Sequence, residues 1–182
     1  MSAPTTEIPG YIAGTWVIDG THSDVTFTVR HLGVSKVRGR FDQVETTIVT
    51  AEKLADSTVT ATIQTASIDT NNSDRDAHVR GADFLDVENF PTMTFTSTAV
   101  REDDGEYFID GELTVHGVTK PVTLAAELGG FGDGMTEGSK VLGISASTEI
   151  SRTDFGVGAS IPTAVLGDKI KIELDIEAGL QA

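Results

Sequence analysis

The chain has 182 residues, which is enough for one domain of ordinary size. Its 28 acidic and 13 basic residues give a formal net charge of -15, which argues against nucleic acid as a partner because phosphate backbones would be repelled. The lack of cysteine excludes disulfides, thiolate metal sites and thiol nucleophiles. Threonine, valine and isoleucine supply 55 residues against 10 leucines, and this excess of β-branched residues favours strands.

The amino terminus predicts a flexible leader over residues 1–13, followed by a single domain over residues 14–182. The leader carries neither the basic start nor the apolar core of ~7 to 15 residues that a secretory signal needs. The longest apolar runs in the chain are far below the ~18 residues of a membrane-spanning helix. The sequence therefore predicts a soluble, cytoplasmic protein, or a periplasmic or secreted one if a signal has been removed.

Apolar and polar residues alternate along most of the domain, most clearly where Val25, Phe27 and Val29 interleave with Thr26 and Thr28. This period of two predicts strands with one apolar face. The same period returns near residues 37–48, 59–63, 93–100, 107–115, 122–128, 142–150 and 170–176. Glycine and proline turns separate the later segments, so about eight strands form an antiparallel meander that loses its edges by closing into a barrel.

Residues 73–80 break the alternation and predict a short helix. Ser73 is the predicted N-terminal cap, and Asp76 stands where a capping box places its acid. Gly81 suits a left-handed exit from the helix. Asp76 and Arg80 form an acid-before-base pair at i and i+4.

The four histidines, His22, His31, His78 and His116, lie on separate elements without a paired metal-ligand spacing, so no metal site is expected. His31 continues the apolar face of residues 25–29. Two interpretations of it stay open: a buried imidazole bonded to a carbonyl group, or a ring that contacts a ligand.

Two groups of charged residues are candidates for chemistry. Arg75, Asp76, His78 and Arg80 resemble an acid/base cluster, although helix capping and i,i+4 pairing explain their spacing without catalysis. The second group is the basic cluster Arg30, Lys36, Arg38 and Arg40. Two interpretations of it stay open: it binds an anionic headgroup, or it merely balances neighbouring acids.

The predicted inner face contains small residues, among them Ala61, Gly111, Ala126 and Ala146. A barrel of about eight strands is just wide enough for side chains to fill its centre or to leave room for one ligand. Small inward residues favour a cavity, whereas the patterning by itself favours the alternative, a plain packed core.

Several ordered motifs span nearly all of residues 14–178, among them Phe27-Thr28-Val29-Arg30-His31-Leu32-Gly33, Arg75-Asp76-Ala77-His78-Val79 and Ser151-Arg152-Thr153-Asp154-Phe155-Gly156. In these motifs the chain resembles the YceI-like family of polyisoprenoid-binding, lipocalin-like proteins. The resemblance implies an all-β fold, an eight-stranded antiparallel lipocalin-like barrel with one or two short helices near residues 73–88, around a long apolar tunnel. It implies no agreed catalytic set, so Arg75, Asp76 and His78 are interpreted as structural.

The resulting hypothesis is non-catalytic binding, transport or storage of a long isoprenoid or similar amphiphile, such as a polyprenyl chain or a quinone, without a cofactor. The predicted ligand contacts are Phe27, Val29, His31, Phe41, Ile63, Phe95, Ile109, Leu113, Leu142, Ile144 and Phe155, with His31 and Phe155 nearer a mouth. Two alternatives remain: a lipid-modifying enzyme that uses His31 or His78 with a nearby Asp, and an interaction module with a solid core. A homodimer is compatible with the sequence.

Overall fold

The computed structural model describes residues 8–20 and 22–181, so residues 1–7 of the predicted leader lie outside the described residues. Helix α1 spans Ser73–Arg80. The strands are β1 (Gly14–Ile18), β2 (Asp24–His31), β3 (Ser35–Phe41), β4 (Val44–Thr50), β5 (Thr58–Gln64), β6 (Ile68–Asp69), β7 (Thr92–Asp103), β8 (Glu106–Val115), β9 (Val118–Asp133), β10 (Lys140–Ser151) and β11 (Leu166–Leu180).

The eleven segments form eight long strands of a closed barrel. The numbers differ because three of the long strands are each interrupted and consist of two segments. β1 and β2 lie one after the other along β11, and β3 and β4 continue each other in the same way beside them. β5 and β6 form the third interrupted strand, and β7 to β11 follow as a meander. Pairing of Trp16 with Leu180 closes the sheet. The predicted eight-stranded antiparallel barrel is confirmed.

The alternation read from the sequence gives the correct inner face. Val25 and Val29 of β2 are buried, whereas Arg30 on the other face is exposed. Phe27 lies opposite Ile172 of β11 in the sheet register, so both belong to the same inward layer. A one-residue error in register would have moved every one of these side chains outside.

Two inward glycines make room for aromatic rings and add no empty space. A Cβ atom at Gly39 would collide with the ring of Phe27, its cross-strand neighbour. A Cβ atom at Gly111 would lie 2.5 Å from the ring of Phe95. Gly111 was expected to contribute to a cavity, and that expectation is wrong because Phe95 covers the glycine.

One end of the barrel is closed by a packed cluster around Trp16. Trp16, Leu142 and Ala178 are at most 1% exposed, and Trp16 Nε1 donates a hydrogen bond of 2.9 Å to Thr50 Oγ1. The ring of Phe131 meets Trp16 edge-on at a centroid distance of 5.4 Å. This end, where β1 begins and β11 ends, therefore has a filled interior.

Residues 8–13 belong to the predicted flexible leader, and they contact this closed end. Tyr11 meets the ring of Phe131 at 5.2 Å between centroids, and its hydroxyl donates to the carbonyl oxygen of Ala51. Ile12 packs against the cluster around Trp16.

The opposite end of the barrel is covered by α1, a 3-10 helix at Arg152–Phe155 and the loop of residues 156–165, together called the cap.

The residue that caps the N-terminus of helix α1 differs from the expectation. Asn72, and not Ser73, accepts the hydrogen bond from the amide of Arg75, at 2.9 Å, because the helix already starts at Ser73, one residue earlier than a cap at Ser73 would require. Gly81 leaves the helix with φ of -78°, so its exit is not left-handed.

Asp76 does not act in a capping box but turns inward. Its buried carboxylate accepts hydrogen bonds from the amide and the hydroxyl of Thr70, at 2.8 and 2.5 Å. Burial alone would raise the pKa of Asp76, but these bonds and the charges of Arg80 and Arg75 bring it below its ordinary value. Arg80 donates to the backbone carbonyl groups of residues 66 and 68. Asp76 and Arg80 together therefore attach the helix to residues 66–70, which precede it.

Arg152 ties the rest of the cap together. Its side chain is 1% exposed, and its guanidinium donates five hydrogen bonds of 2.5 to 3.2 Å to backbone carbonyl groups. The acceptors are the carbonyl oxygens of Val157, Gly158, Ile161, Leu166 and Gly167. All donors of the guanidinium fork are thereby used to hold the cap loop onto the start of β11.

Candidate functional site: an apolar cavity beneath the cap

A cavity of about 430 Å³ lies between the cap and the middle of the barrel. This volume falls within the ~300 to 1,000 Å³ that is typical of small-molecule sites. Its wall is formed mainly by valine, isoleucine, leucine and phenylalanine side chains of the inward faces and by Phe84, Leu85, Val157 and Ile161 of the cap side. The alternative of a completely solid core is therefore wrong, although the Trp16 end of the barrel is filled.

Eight of the predicted contact residues line this cavity: Phe27, Val29, His31, Phe41, Ile63, Phe95, Leu113 and Phe155. Three do not. Leu142 and Ile144 pack in or against the cluster around Trp16, and Ile109 is buried in the packed part of the barrel core. The reason is that alternation identifies the inward face of a strand but says nothing about depth along the barrel axis.

The cavity has few polar groups, and most of them are already bonded. Arg152 donates to five carbonyl groups, and Arg75 donates to the hydroxyl and the carbonyl oxygen of Thr70 at 2.8 and 2.6 Å. Thr46, on β4, differs: its hydroxyl oxygen is buried and has no hydrogen-bond partner among the described residues. An unpaired buried hydroxyl costs about 1 to 3 kcal/mol, so Thr46 is a polar group of the cavity that a bound molecule can satisfy.

Two of the four histidines, His31 and His78, line the cavity. His31 lines the cavity but is exposed at its rim, so the interpretation as a buried imidazole is wrong. His78 Nε2 lies 3.5 Å from Asp83 Oδ2, and both side chains are more than half exposed. His116 Nδ1 lies 3.2 Å from the carbonyl oxygen of Phe155, which connects the β8–β9 turn to the cap.

His22 has acidic neighbours that sequence spacing did not reveal. Its Nδ1 lies 2.8 Å from Asp19 Oδ2 and 3.2 Å from Glu177 Oε2. The hydrogen bond to Asp19, followed by the charges of Glu177 and Asp19, raises the pKa of His22. The cluster spans the interruption between β1 and β2, and it attaches that interruption to β11.

The basic cluster lies on the outer surface of the barrel and not in the cavity. Arg30 and Lys36 are opposite each other in the pairing of β2 with β3, and Arg38 follows on the same face. Arg40 contacts Asp42 and Asp69 at 2.8 and 3.2 Å, so its charge is balanced. These positions exclude the cluster as a headgroup site within the cavity.

A more open groove of about 1,050 Å³ lies elsewhere, along β2 and β8 to β11. Glu106, Glu127, Glu173 and Asp175 line it. Such a concentration of carboxylates is unfavourable for an apolar or anionic molecule. The smaller cavity is therefore the better candidate site.

Asp168 provides a pH test of the cap. Hydrogen bonds from Ser151 and Thr153 lower the pKa of its carboxyl group to about 2. Its contribution to stability is therefore present above the ordinary value of 3.8 and is lost as the pH falls towards 2. Asp168→Asn is expected to lower the free energy of unfolding by about 1 to 2 kcal/mol near neutral pH, with solvent screening included.

Urea unfolding of the wild type and the variant at several pH values would measure this difference. The difference should shrink as the pH falls below 3.8 and approach zero only below pH 2, where the carboxyl group of Asp168 is protonated in both the folded and the unfolded wild type. Asp154→Asn, which changes an exposed carboxylate of the same segment, is the matched control and should have little effect. A loss of stability that is the same at all pH values would contradict this origin of the effect.

An eight-stranded antiparallel barrel with an apolar cavity beneath a cap has the architecture of lipocalin-like proteins. A YceI-like domain matches residues 16–178 of the chain. Protein YceI of Escherichia coli O157:H7 is 43% identical over 156 residues, covering 84% of this chain and 81% of the relative. The chain belongs to the YceI-like family.

Solved structures agree with this assignment. A Campylobacter jejuni YceI protein has a TM-score of 0.76 at 33% identity, covering 84% of this chain and 90% of that chain. A polyisoprenoid binding domain from Saccharophagus degradans, implicated in plant cell wall breakdown, shares the fold with a TM-score of 0.67 at 16% identity. That match covers 93% of this chain and all of the other. The helices among the described residues are too short or too polar to span a bilayer.

Proposed function

We propose that the chain binds a long apolar molecule, an isoprenoid chain or a similar amphiphile, in the cavity beneath the cap and does not transform it. The observation that carries this proposal is the cavity of about 430 Å³ with an almost entirely apolar wall. The name of the Saccharophagus degradans structure, a polyisoprenoid binding domain, supports isoprenoids as the ligand class.

Binding in such a cavity is driven by the removal of apolar surface from water. At ~0.8 kcal/mol per buried carbon, one enclosed isoprene unit contributes roughly 4 kcal/mol before ordering costs. A wall of aliphatic and aromatic side chains offers few directional contacts, so it selects length and width more than chemistry. The hydroxyl of Thr46 adds one position at which an oxygen atom of the ligand gains a hydrogen bond.

The proposal is tested by identifying and by adding ligand. Denaturing extraction of the purified chain, followed by mass spectrometry, should release an apolar lipid in near-stoichiometric amount. After removal of lipid, geranylgeraniol should bind at least a hundredfold more tightly than geraniol, because the longer chain buries more isoprene units. An empty extract together with no binding of either alcohol would overturn the proposal.

A further inference from the structure

We propose that the rim beside the cap is a docking surface for membranes that contain anionic lipids. The surface has two parts. The apolar rim is formed by the exposed side chains Leu32, Val34 and Val165, and the basic face is formed by Arg30, Lys36 and Arg38 on the adjoining outer surface. This surface goes beyond the proposed binding of ligand, and vesicle binding measures it whatever the cavity holds.

The apolar rim consists of large side chains that the fold leaves in solvent. Val34 is 83% exposed and Leu32 is 55% exposed, in the turn between β2 and β3. Val165, in the cap loop, is 40% exposed, and its carbonyl oxygen accepts a hydrogen bond of 2.8 Å from the amide of Leu32. The turn and the cap loop therefore present one apolar surface together.

The conformation of the turn indicates that Leu32 is not there for stability. Leu32 has φ of 55° and Gly33 has φ of 70°, so two consecutive residues have positive φ as in a type I′ turn. Asparagine or aspartate is preferred before glycine in such turns, and a leucine there is strained. Exposure and backbone strain at the same residue indicate that Leu32 serves a contact with another molecule and not the packing of this chain.

The basic face supplies a charge that is opposite to that of the whole chain. The formal net charge is -15, yet Arg30, Lys36 and Arg38 share one exposed face next to the turn. They form no ion pair with any residue in the described ranges, unlike Arg40 farther along β3. Such a face selects an anionic surface, since a neutral or cationic one would gain nothing from it.

The docking surface adjoins the cavity. Val165 belongs to both the rim and the cavity wall, and His31 and Leu166 line the cavity beside it. A bilayer that accepts the rim would place the cap side of the cavity against its surface. Lipid headgroups supply the negative charge and the adjacent acyl region accepts the apolar side chains, so a membrane satisfies both parts of the surface at once.

Sedimentation of the full chain with vesicles tests the proposal. Vesicles of phosphatidylglycerol and phosphatidylcholine should bind the chain more tightly than vesicles of phosphatidylcholine alone, and added salt should weaken this binding. Lys36→Gln together with Arg38→Gln should reduce binding to the anionic vesicles about 25-fold, or about fivefold per charge. Lys53→Gln with Lys140→Gln removes the same charge at the opposite end of the barrel and should leave binding unchanged.

The apolar rim has its own pair of variants. Val34→Ser should reduce vesicle binding about tenfold, whereas Met135→Ser should not, because the 99% exposed Met135 lies in the β9–β10 turn at the opposite end. Leu32→Asn should also reduce binding, while it preserves or raises the melting temperature because asparagine suits the turn.

Equal binding to both kinds of vesicle, or equal effects of the rim and control variants, would overturn the proposal. A second outcome would also overturn it: the wild type binds no vesicles, and light scattering shows that the wild type is a dimer and that Val34→Ser is a monomer. The rim would then join two copies of the chain. Loss of geranylgeraniol binding with intact vesicle binding would contradict only the proposed function.

Discussion

Replacing Arg152 by methionine is expected to lower the free energy of unfolding by about 3 to 5 kcal/mol. The guanidinium is 1% exposed, and its five hydrogen bonds join the cap loop to the start of β11. Methionine has similar length but no donors, so five backbone carbonyl groups would each lose a hydrogen bond in a region with little access to water. Lysine has three donors in a different geometry and should restore only part of this loss.

Urea denaturation of the two variants would measure the change. Arg101→Met is the matched control: Arg101 also makes charge-assisted bonds, at 2.7 and 3.1 Å to Asp110, but on the exposed surface. Exposed pairs contribute at most about 1 kcal/mol, so this control should be nearly as stable as the wild type. If Arg152→Met and Arg101→Met are equally stable, Arg152 does not hold the cap.

Filling the cavity from its wall should remove ligand binding without unfolding the barrel. Ala61 is a small inward residue of β5 that lines the cavity, beside Thr46 and Phe95 in the sheet. In Ala61→Phe the new ring would take the space of roughly one isoprene unit, worth about 4 kcal/mol of burial. We expect geranylgeraniol binding to weaken by about a hundredfold to a thousandfold.

Thr60→Phe is the control, because Thr60 is the neighbouring residue and is exposed on the outer face. It should bind the alcohol as the wild type does, and both variants should keep a cooperative thermal transition. Equal affinities of the two variants would show that the ligand does not occupy this cavity. If Ala61→Phe destabilises the protein, Ala61→Leu takes its place in the same test, because leucine adds less volume than phenylalanine.

Much of the barrel wall was predictable because a strand alternates its side chains by a fixed period of two. The inward set Val25, Phe27 and Val29 follows from that rule alone, and so does the outward position of the basic face. Helix α1 was also predictable in its bounds, since residues 73–80 interrupt the alternation and carry acids early and bases late. The cap residue Asn72 was missed, because several polar residues precede the helix and only backbone geometry distinguishes them.

The candidate site was only partly predictable. Leu142 and Leu113 look equivalent in sequence, as both are apolar inward residues, but Leu142 packs beside Trp16 and Leu113 lines the cavity. Arg152 was noticed only as part of a motif, because its five carbonyl partners come from residues that are 5 to 15 positions away. The missing side chain of Gly111 predicted empty space in the interior, but the ring of Phe95 from the neighbouring strand fills that space.

By itself the sequence determined the period of two, the number of long strands, the face of each strand that turns inward and the family motifs. These are local properties, because they depend on neighbours along the chain and on backbone geometry. The tertiary structure decided where the interior is filled and where it is open, what holds the cap, and which exposed side chains meet at its rim. Those properties depend on contacts between distant segments, such as Leu32 with Val165, that no local pattern records.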